Sequence, residues 1–262
     1  MNRGKESRTV KSVAVTTEII KHVRALQGAT VSELAEQVAL SPASVHAHLA
    51  TLKRAGFVVQ RGHTYDLGPQ LLTLGEYVRN HSGLYQASKE QVDRLARETG
   101  ECAHLTIEHD GQLFILYEEF GPDAVGVEYH DWKRQEPLDH LHCTATGKAI
   151  LSRLPSEEVE AILDARGMPS HTEWTITDRE ALFDQLGDFR EWGYAYADGE
   201  LMSGIRAVGA AIGGADGEVE GAIAVTGPSS RLRGERFRES LPQRVLNAAN
   251  VCEVNLQTAT IK

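Results

Sequence analysis

No apolar run in this sequence approaches the ~18 residues that a membrane span requires. Cysteine is scarce: Cys102, Cys143 and Cys252 are far apart and odd in number, and no C-x-x-C occurs. That spacing argues against a disulfide framework and against zinc or redox chemistry. Buried, inert thiols in a reducing cytoplasm are the expectation. Lysine is also scarce, at eight residues against nineteen arginines, in a chain of formal net charge −10. An acidic, lysine-poor surface suits a salty cytoplasm, where net charge maintains solubility, and a halophilic source is expected. The opening stretch "MNRGKESRTVKS" is polar and lacks an apolar h-region, so no secretory signal is read there and a cytoplasmic protein is expected.

At 262 residues the chain can bury a core and hold one or two domains. Its charge is unevenly placed. Residues 1–80 hold ten Lys and Arg against six Asp and Glu, a net +4, whereas residues 81–262 hold 17 against 31, a net −14. Such asymmetry hints that the first part meets a polyanion.

The first 80 residues read as three helices and a hairpin. Lys11–Leu26 carries Val13, Ile20 and Val23 at helical spacing, widened by Ile19 and Leu26. "TVSELAEQVAL" gives a short helix with Val31, Leu34 and Val38 inward and Ser32 as cap. Ser41-Pro42 is an N-cap followed by proline at the first helical position. In the third helix Val45, Leu49 and Leu52 share one face. "FVVQRGHTYDLG" reads as two short strands around Arg61-Gly62-His63. Pro69–His81 is a connecting helix.

The remainder alternates strands and helices without a βαβ rhythm. Cys102–Glu108 and Gln112–Phe120 flank an Asp110-Gly111 hairpin turn, and Val125–Asp131 reads as a third strand. Thr146–Leu154 is helical. Ser156 caps another helix, and Thr177 with Glu180 forms a capping box for Asp178–Trp192. Tyr194–Asp198, Ile205–Gly213 and Val219–Thr226 are strands, and a helix from about Gly234 to Leu256 closes the chain. The expectation is an α+β protein: a winged helix-turn-helix over 1–68, a linker helix over 69–83, and an antiparallel sheet domain with helices over 84–262.

In a winged helix-turn-helix the second helix of the motif lies in the major groove and the hairpin can touch the backbone. Opposite Val45, Leu49 and Leu52 lie Ala43, Ala47, Ala50 and Arg54, flanked by Ser44 and Thr51 on one side and His46 and Lys53 on the other. Small residues permit close approach to bases, and alanine can meet a thymine methyl. His48 lies nearer the buried edge and is read as structural. Arg61, His63 and Thr64 at the hairpin tip could reach phosphate or the minor groove.

"VSELAEQVALSPASVHAHLATLKRAGFV", "YDLGPQLLTLG", "GECAHLTIEHDGQLFILYE", "PLDHLHCTATGKAIL", "REWGYAYADGE", "GIRAVGAAI" and "GAIAVTGPSSRL" resemble, in order and at similar spacing, segments of the IclR family of transcriptional regulators. The resemblance implies a dimer or dimer of dimers that binds operator DNA, and a C-terminal GAF-like domain that binds a small metabolite. It implies control of a catabolic operon, with no cofactor, no metal and no membrane association. In the recognition helix the family often has a serine-threonine pair followed by Val-His-Arg. Here Ala43, Ser44, Val45, His46 and Ala47 stand there, so Ser44 and His46 carry over and the arginine does not.

The resemblance also implies an effector pocket. Its main-chain amides, in the loop that leads through Thr144 into the G-K-A helix, map onto Ala145 and Thr146. Unpaired N–H groups at a helix start hold an anion such as a carboxylate. The opposing positions map onto Ala197 or Asp198, Ala207, Ala224 and Thr226. Ala207 and Ala224 are apolar, which suggests a roomier pocket for an aromatic or bulky acid.

Enzyme readings are weaker. "CTATGKA" shares only Gly147-Lys148 with a phosphate loop, and Ala149 replaces the Mg²⁺-binding hydroxyl. "DHLHC", with His130 upstream, offers His140, His142 and Cys143 as metal ligands or a nucleophile. Read as a strand, it puts both histidines on one face and Cys143 on the other. A metal- or thiol-dependent enzyme using a sensor-like domain is therefore the alternative.

Overall fold

The computed structural model describes residues 9–126, 137–214 and 216–259. The chain divides into two compact units, Met1–Asn80 and His81–Lys262.

The first unit packs α1 (Lys11–Ala25), α2 (Val31–Gln37) and α3 (Pro42–Arg54) against a small sheet. Its core joins Ile19, Val23, Leu34, Val45, Leu49 and Leu52 to Ala29, Val58 and Tyr65. Strands β2 (Val58–Arg61) and β3 (Thr64–Leu67) form the expected hairpin. A two-residue β1 (Ala29–Thr30), not foreseen, pairs with β3 on its other side. The α2 cap is Thr30 rather than Ser32: its hydroxyl accepts from Glu33 N–H, and the Glu33 carboxylate accepts from Thr30 N–H. This reciprocal box satisfies two amide groups that a helix start leaves open. Val13, expected inward, is 61% exposed, because Ile19 and Val23 already fill the buried face of α1. Helix α4 (Gln70–Asn80) buries no residue and exposes Leu72, Leu74, Tyr77 and Val78.

The second unit is a five-stranded antiparallel sheet of order β5-β4-β8-β7-β6. Its strands are β4 (Cys102–His109), β5 (Gln112–Phe120), β6 (Ala195–Asp198), β7 (Ile205–Gly213) and β8 (Val219–Pro228). The two-residue period of a strand sends alternate residues to opposite faces. Leu105, Val208, Ile223 and Val225 thus meet α5 (Gly83–Thr99) and α9 (Leu241–Ala259). The other face packs on α6 (Ala145–Arg153), α7 (Ser156–Arg166) and α8 (Arg179–Trp192) through Ile150, Leu151, Leu182 and Phe189.

Several expected boundaries move by a residue or two. Ser156 is the first residue of α7, whose N-cap is Pro155. Asp178, not Thr177, caps α8, its carboxylate accepting from Ala181 N–H. The last helix does begin at Gly234, as expected, and runs through a π-helical stretch at Arg236–Ser240 into α9. Val125 and Gly126 are not strand. The rest of the strand expected over 125–131 lies outside the described residues, as does His130.

Candidate functional site

The DNA-reading candidates are exposed residues of α3 and of the β2–β3 wing. Ser41 caps α3 by accepting from Ser44 N–H at 3.2 Å, and Pro42 occupies the first helical position. Val45, Leu49 and Leu52 anchor the buried side. Ser44, His46, Ala47, Thr51, Lys53 and Arg54 are exposed, as are Arg61 and His63 in the wing. Lys53 Nζ donates to Gln60 Oε1 at 2.9 Å, tying α3 to β2, and Thr51 Oγ1 donates to Ala47 O. His48 is half-buried, with Nδ1 2.7 Å from Thr16 Oγ1. Thr16 Oγ1 also donates its one proton to Ser12 O at 2.7 Å, so His48 Nδ1 is the donor in the other bond. The two histidines of α3 therefore differ: His46 faces solvent, and His48 braces α1.

In the second unit a cavity of about 170 Å³ lies between the sheet and the start of α6, lined mainly by apolar side chains. Thr144, Ala145, Thr146, Ala197, Ala207 and Thr226 line it. Thr144 caps α6. Its Oγ1 accepts from Gly147 N–H at 3.0 Å, and its carbonyl accepts from Lys148 N–H. The N–H groups of Ala145 and Thr146, first in the helix, have no intrahelical acceptor.

Two glycines allow this approach. A Cβ at Gly147 would lie 2.3 Å from Leu141 O, and one at Gly209 would lie 2.9 Å from the Ala145 carbonyl carbon.

Asp198 and Ala224 are not among the lining residues. Asp198 turns to Arg206, whose Nε donates to its Oδ1 at 2.6 Å. Arg206 lines the cavity instead, held also by a bond to Leu232 O and by the Phe237 ring. Ala224, fully buried in mid-strand, sits between His104 and Gly209.

The lining also includes Cys143, and residues not read as candidates from the sequence: His104, Glu118, Glu200, Leu201 and Met202 among them. Glu200 takes the Lys148 ammonium at 2.6 Å, and Gln185 accepts from the same nitrogen. Thr175 Oγ1 donates to Glu200 O at 2.6 Å and fixes the loop. Glu200 Oε2 is buried without a hydrogen-bond partner among the described residues.

"DHLHC" is not a strand: Leu141–Cys143 is a 3₁₀ turn. His142 Nε2 donates to Pro169 O at 3.2 Å, His140 faces His171, and Cys143 Sγ donates to His140 O. Burial pushes the His142 imidazole down to about 4, so it is neutral. Among the described residues, the set that brings three possible metal-ligand atoms within 4.8 Å of one another lies elsewhere, at Cys102, His104 and Glu118. A Cys-x-His pair on a strand, which puts both side chains on one face, was the available signal. No helix among the described residues is long and apolar enough to cross a membrane.

Residues 12–62 match the IclR helix-turn-helix domain, and residues 76–253 match the family described as bacterial transcriptional regulator IclR C-terminal. The chain is 39% identical over 259 residues to the "Probable HTH-type transcriptional regulator ArcR" of Halobacterium salinarum, covering 98% of each. It is 28% identical over 225 residues to the acetate operon repressor of Salmonella typhimurium, covering 83% of this chain and 79% of that one. The crystal structure of an IclR homolog complexed with 4-hydroxybenzoate, from Microbacterium hydrocarbonoxydans, shares the fold. Its TM-score is 0.75 at 20% identity, over 92% of this chain and 98% of that one. These relatives are transcription regulators, which sets the enzyme alternative aside. The two matched domains and the full-length similarity to ArcR show that this chain belongs to the IclR family of transcriptional regulators.

Proposed function

We propose that this regulator controls a catabolic operon and that a single-ring carboxylate, bound in the second unit's cavity, modulates its operator binding. The observation that carries this reading is the start of α6, where two amides without intrahelical acceptors open into a mainly apolar cavity. A helix N-terminus favours an anion, and apolar walls favour a ring. A cavity of roughly 150 Å³ is enough to hold a benzene, so about 170 Å³ suits one ring. Ala145 and Thr146 take the carboxylate, Arg206 adds positive charge, and Thr144 holds the helix start. Thr226 and Ala207 form the facing wall. Asp198 acts by orienting Arg206, and Ala224, small and apolar, leaves room beside His104 and Gly209. Glu200 Oε2 accepts from a ring hydroxyl. The family likeness to a 4-hydroxybenzoate-bound homolog agrees with such a ligand.

On the DNA side, Ser44, His46, Ala47 and Thr51 read bases, Lys53 and Arg54 meet phosphates, and Arg61 and His63 reach the backbone or minor groove. The exposed apolar residues of α1 and α4, Val13, Leu72, Tyr77 and Val78, are the seam of a homodimer. A two-fold dimer calls for a pseudo-palindromic operator. An acidic surface short of lysine, like the resemblance to a Halobacterium protein, fits a halophilic cytoplasm.

Calorimetric titration with benzoates and with small oxoacids tests the effector reading. Binding of an aromatic carboxylate with one ligand per chain is expected. Tight binding to two- and three-carbon oxoacids alone would refute the reading.

A further inference from the structure

We propose that Cys102, His104 and Glu118 form a site for a divalent transition metal of the zinc class in the floor of the cavity, with one coordination position open toward it. Cys102 and His104 are alternate residues of β4 and share a face. Glu118 stands directly across from His104 on β5. A register shift between Leu105 and Thr106 creates that pairing. From the Asp110-Gly111 turn, an unbroken ladder would place Tyr117 opposite His104, and the bulge moves Glu118 there instead.

One ligand atom from each residue lies within 4.8 Å of the other two. Cys102 Sγ is 3.3 Å from Glu118 Oε1. Zinc–sulfur and zinc–oxygen bonds of about 2.3 and 2.1 Å, at a tetrahedral angle, put sulfur and oxygen roughly 3.5 Å apart. The pair is therefore already at chelating distance, and a His104 ring nitrogen lies within 4.8 Å of a ligand atom of each. One thiolate, one imidazole and one carboxylate select zinc-like metals; calcium and magnesium demand more oxygens. Three protein ligands leave a tetrahedral ion one free position.

Cys102 and Glu118 are only 2% and 6% exposed, while His104 and Glu118 line the cavity. That placement sets a conflict of sign. A cavity read as a carboxylate site has a buried glutamate in its floor. A divalent cation removes the conflict, since its two charges neutralise the thiolate and Glu118. On binding, the metal–sulfur bond replaces the S–H bond and the thiol proton goes to solvent, so affinity rises with pH. The metal site stands on this geometry alone; an effector carboxylate that bridges the α6 amides and the open position rests on the reading above.

The test uses full-length protein, stripped by chelator and titrated with cobalt(II). One cobalt per chain is expected, with a sulfur-to-cobalt charge-transfer band in the near ultraviolet and tetrahedral d–d bands in the visible. Cys102→Ser should abolish the charge-transfer band and Cys252→Ser should keep it. His104→Gln and Glu118→Gln should weaken cobalt binding by about tenfold or more. Circular dichroism of each variant reports folding. Wild-type protein that binds no stoichiometric cobalt, or shows no charge-transfer band, overturns the site without recourse to variants. A band that survives Cys102→Ser overturns it too. Benzoate added to the cobalt form should shift the d–d bands and bind about tenfold more tightly than to the stripped protein. Equal binding to both forms overturns the open position. Cobalt binding with no carboxylate binding to either form overturns the effector reading and supports the metal site.

Discussion

Lys148 and Glu200 form an ion pair shut away from water: Nζ lies 2.6 Å from Oε1, with the side chains 0% and 5% exposed. Lys148 belongs to α6, whose first turn borders the cavity, and Glu200 lines the same cavity from the loop after β6. The pair therefore joins two walls of the site. Burial pushes the ammonium pKa down, and the Glu200 carboxylate opposes that shift. Removing one partner leaves a buried charge uncompensated, at a cost of about 3–5 kcal/mol. Glu200→Gln or Lys148→Met should each lower urea stability by about that amount. The double variant should recover most of it, because neither charge then remains. Additive losses would show that the pair is not coupled.

A pH dependence follows from His142. The folded protein keeps this imidazole neutral down to about pH 4, whereas an unfolded chain protonates it near the ordinary 6.5. As pH falls, the unfolded state takes the proton first. Stability from this group is full above 6.5, declines between 6.5 and about 4, and is flat below. The span corresponds to about 3 kcal/mol. Chemical denaturation across that window should show the slope, and His142→Gln should reduce it.

Gly209 supports the first turn of α6 by having no side chain. Gly209→Ala puts a methyl 2.9 Å from the Ala145 carbonyl carbon, a backbone atom that cannot swing aside. The helix start must shift, at about 1–3 kcal/mol. Carboxylate binding, followed by calorimetry, should fall by more than tenfold (about 1.4 kcal/mol), while the protein still melts cooperatively. Undiminished binding would place the ligand away from this turn.

On the recognition surface, Ala47 stands where the family often has arginine. Ala47→Arg should raise operator affinity and steepen the salt dependence by about one unit of slope. His46→Ala should weaken operator binding by about 1–3 kcal/mol and leave the melting temperature unchanged, since His46 is exposed. His48→Ala should instead lower stability, because it removes the brace to Thr16. Anisotropy and thermal melts on the three variants separate these roles.

The helices of the first unit were legible because their starts are written locally: Ser41-Pro42 caps α3, and apolar residues recur at helical spacing. Caps elsewhere were displaced by one or two residues. Which hydroxyl or carboxylate caps depends on where the chain leaves extended backbone, as at Thr30 and Asp178. Strand β1 was not legible, since two residues carry no pattern and gain strand geometry only from pairing with β3. The loop into α6 was readable through its likeness to the family. The wall formed by Arg206 and Glu200 was not, because their orientation is set by Asp198 and Lys148. The Cys102, His104 and Glu118 cluster depends on a bulge, and turn residues alone predict the wrong cross-strand partner for His104.

A carboxylate in the cavity should change how the DNA-reading surface binds its operator. Fluorescence anisotropy of labelled DNA from upstream of the protein's own gene, titrated with full-length protein with and without a panel of aromatic carboxylates, tests it most directly. Salt-sensitive binding is expected, weakened by His46→Ala and shifted by at least one aromatic carboxylate by about 1–3 kcal/mol of coupling. Operator binding that no carboxylate in the panel alters would contradict it.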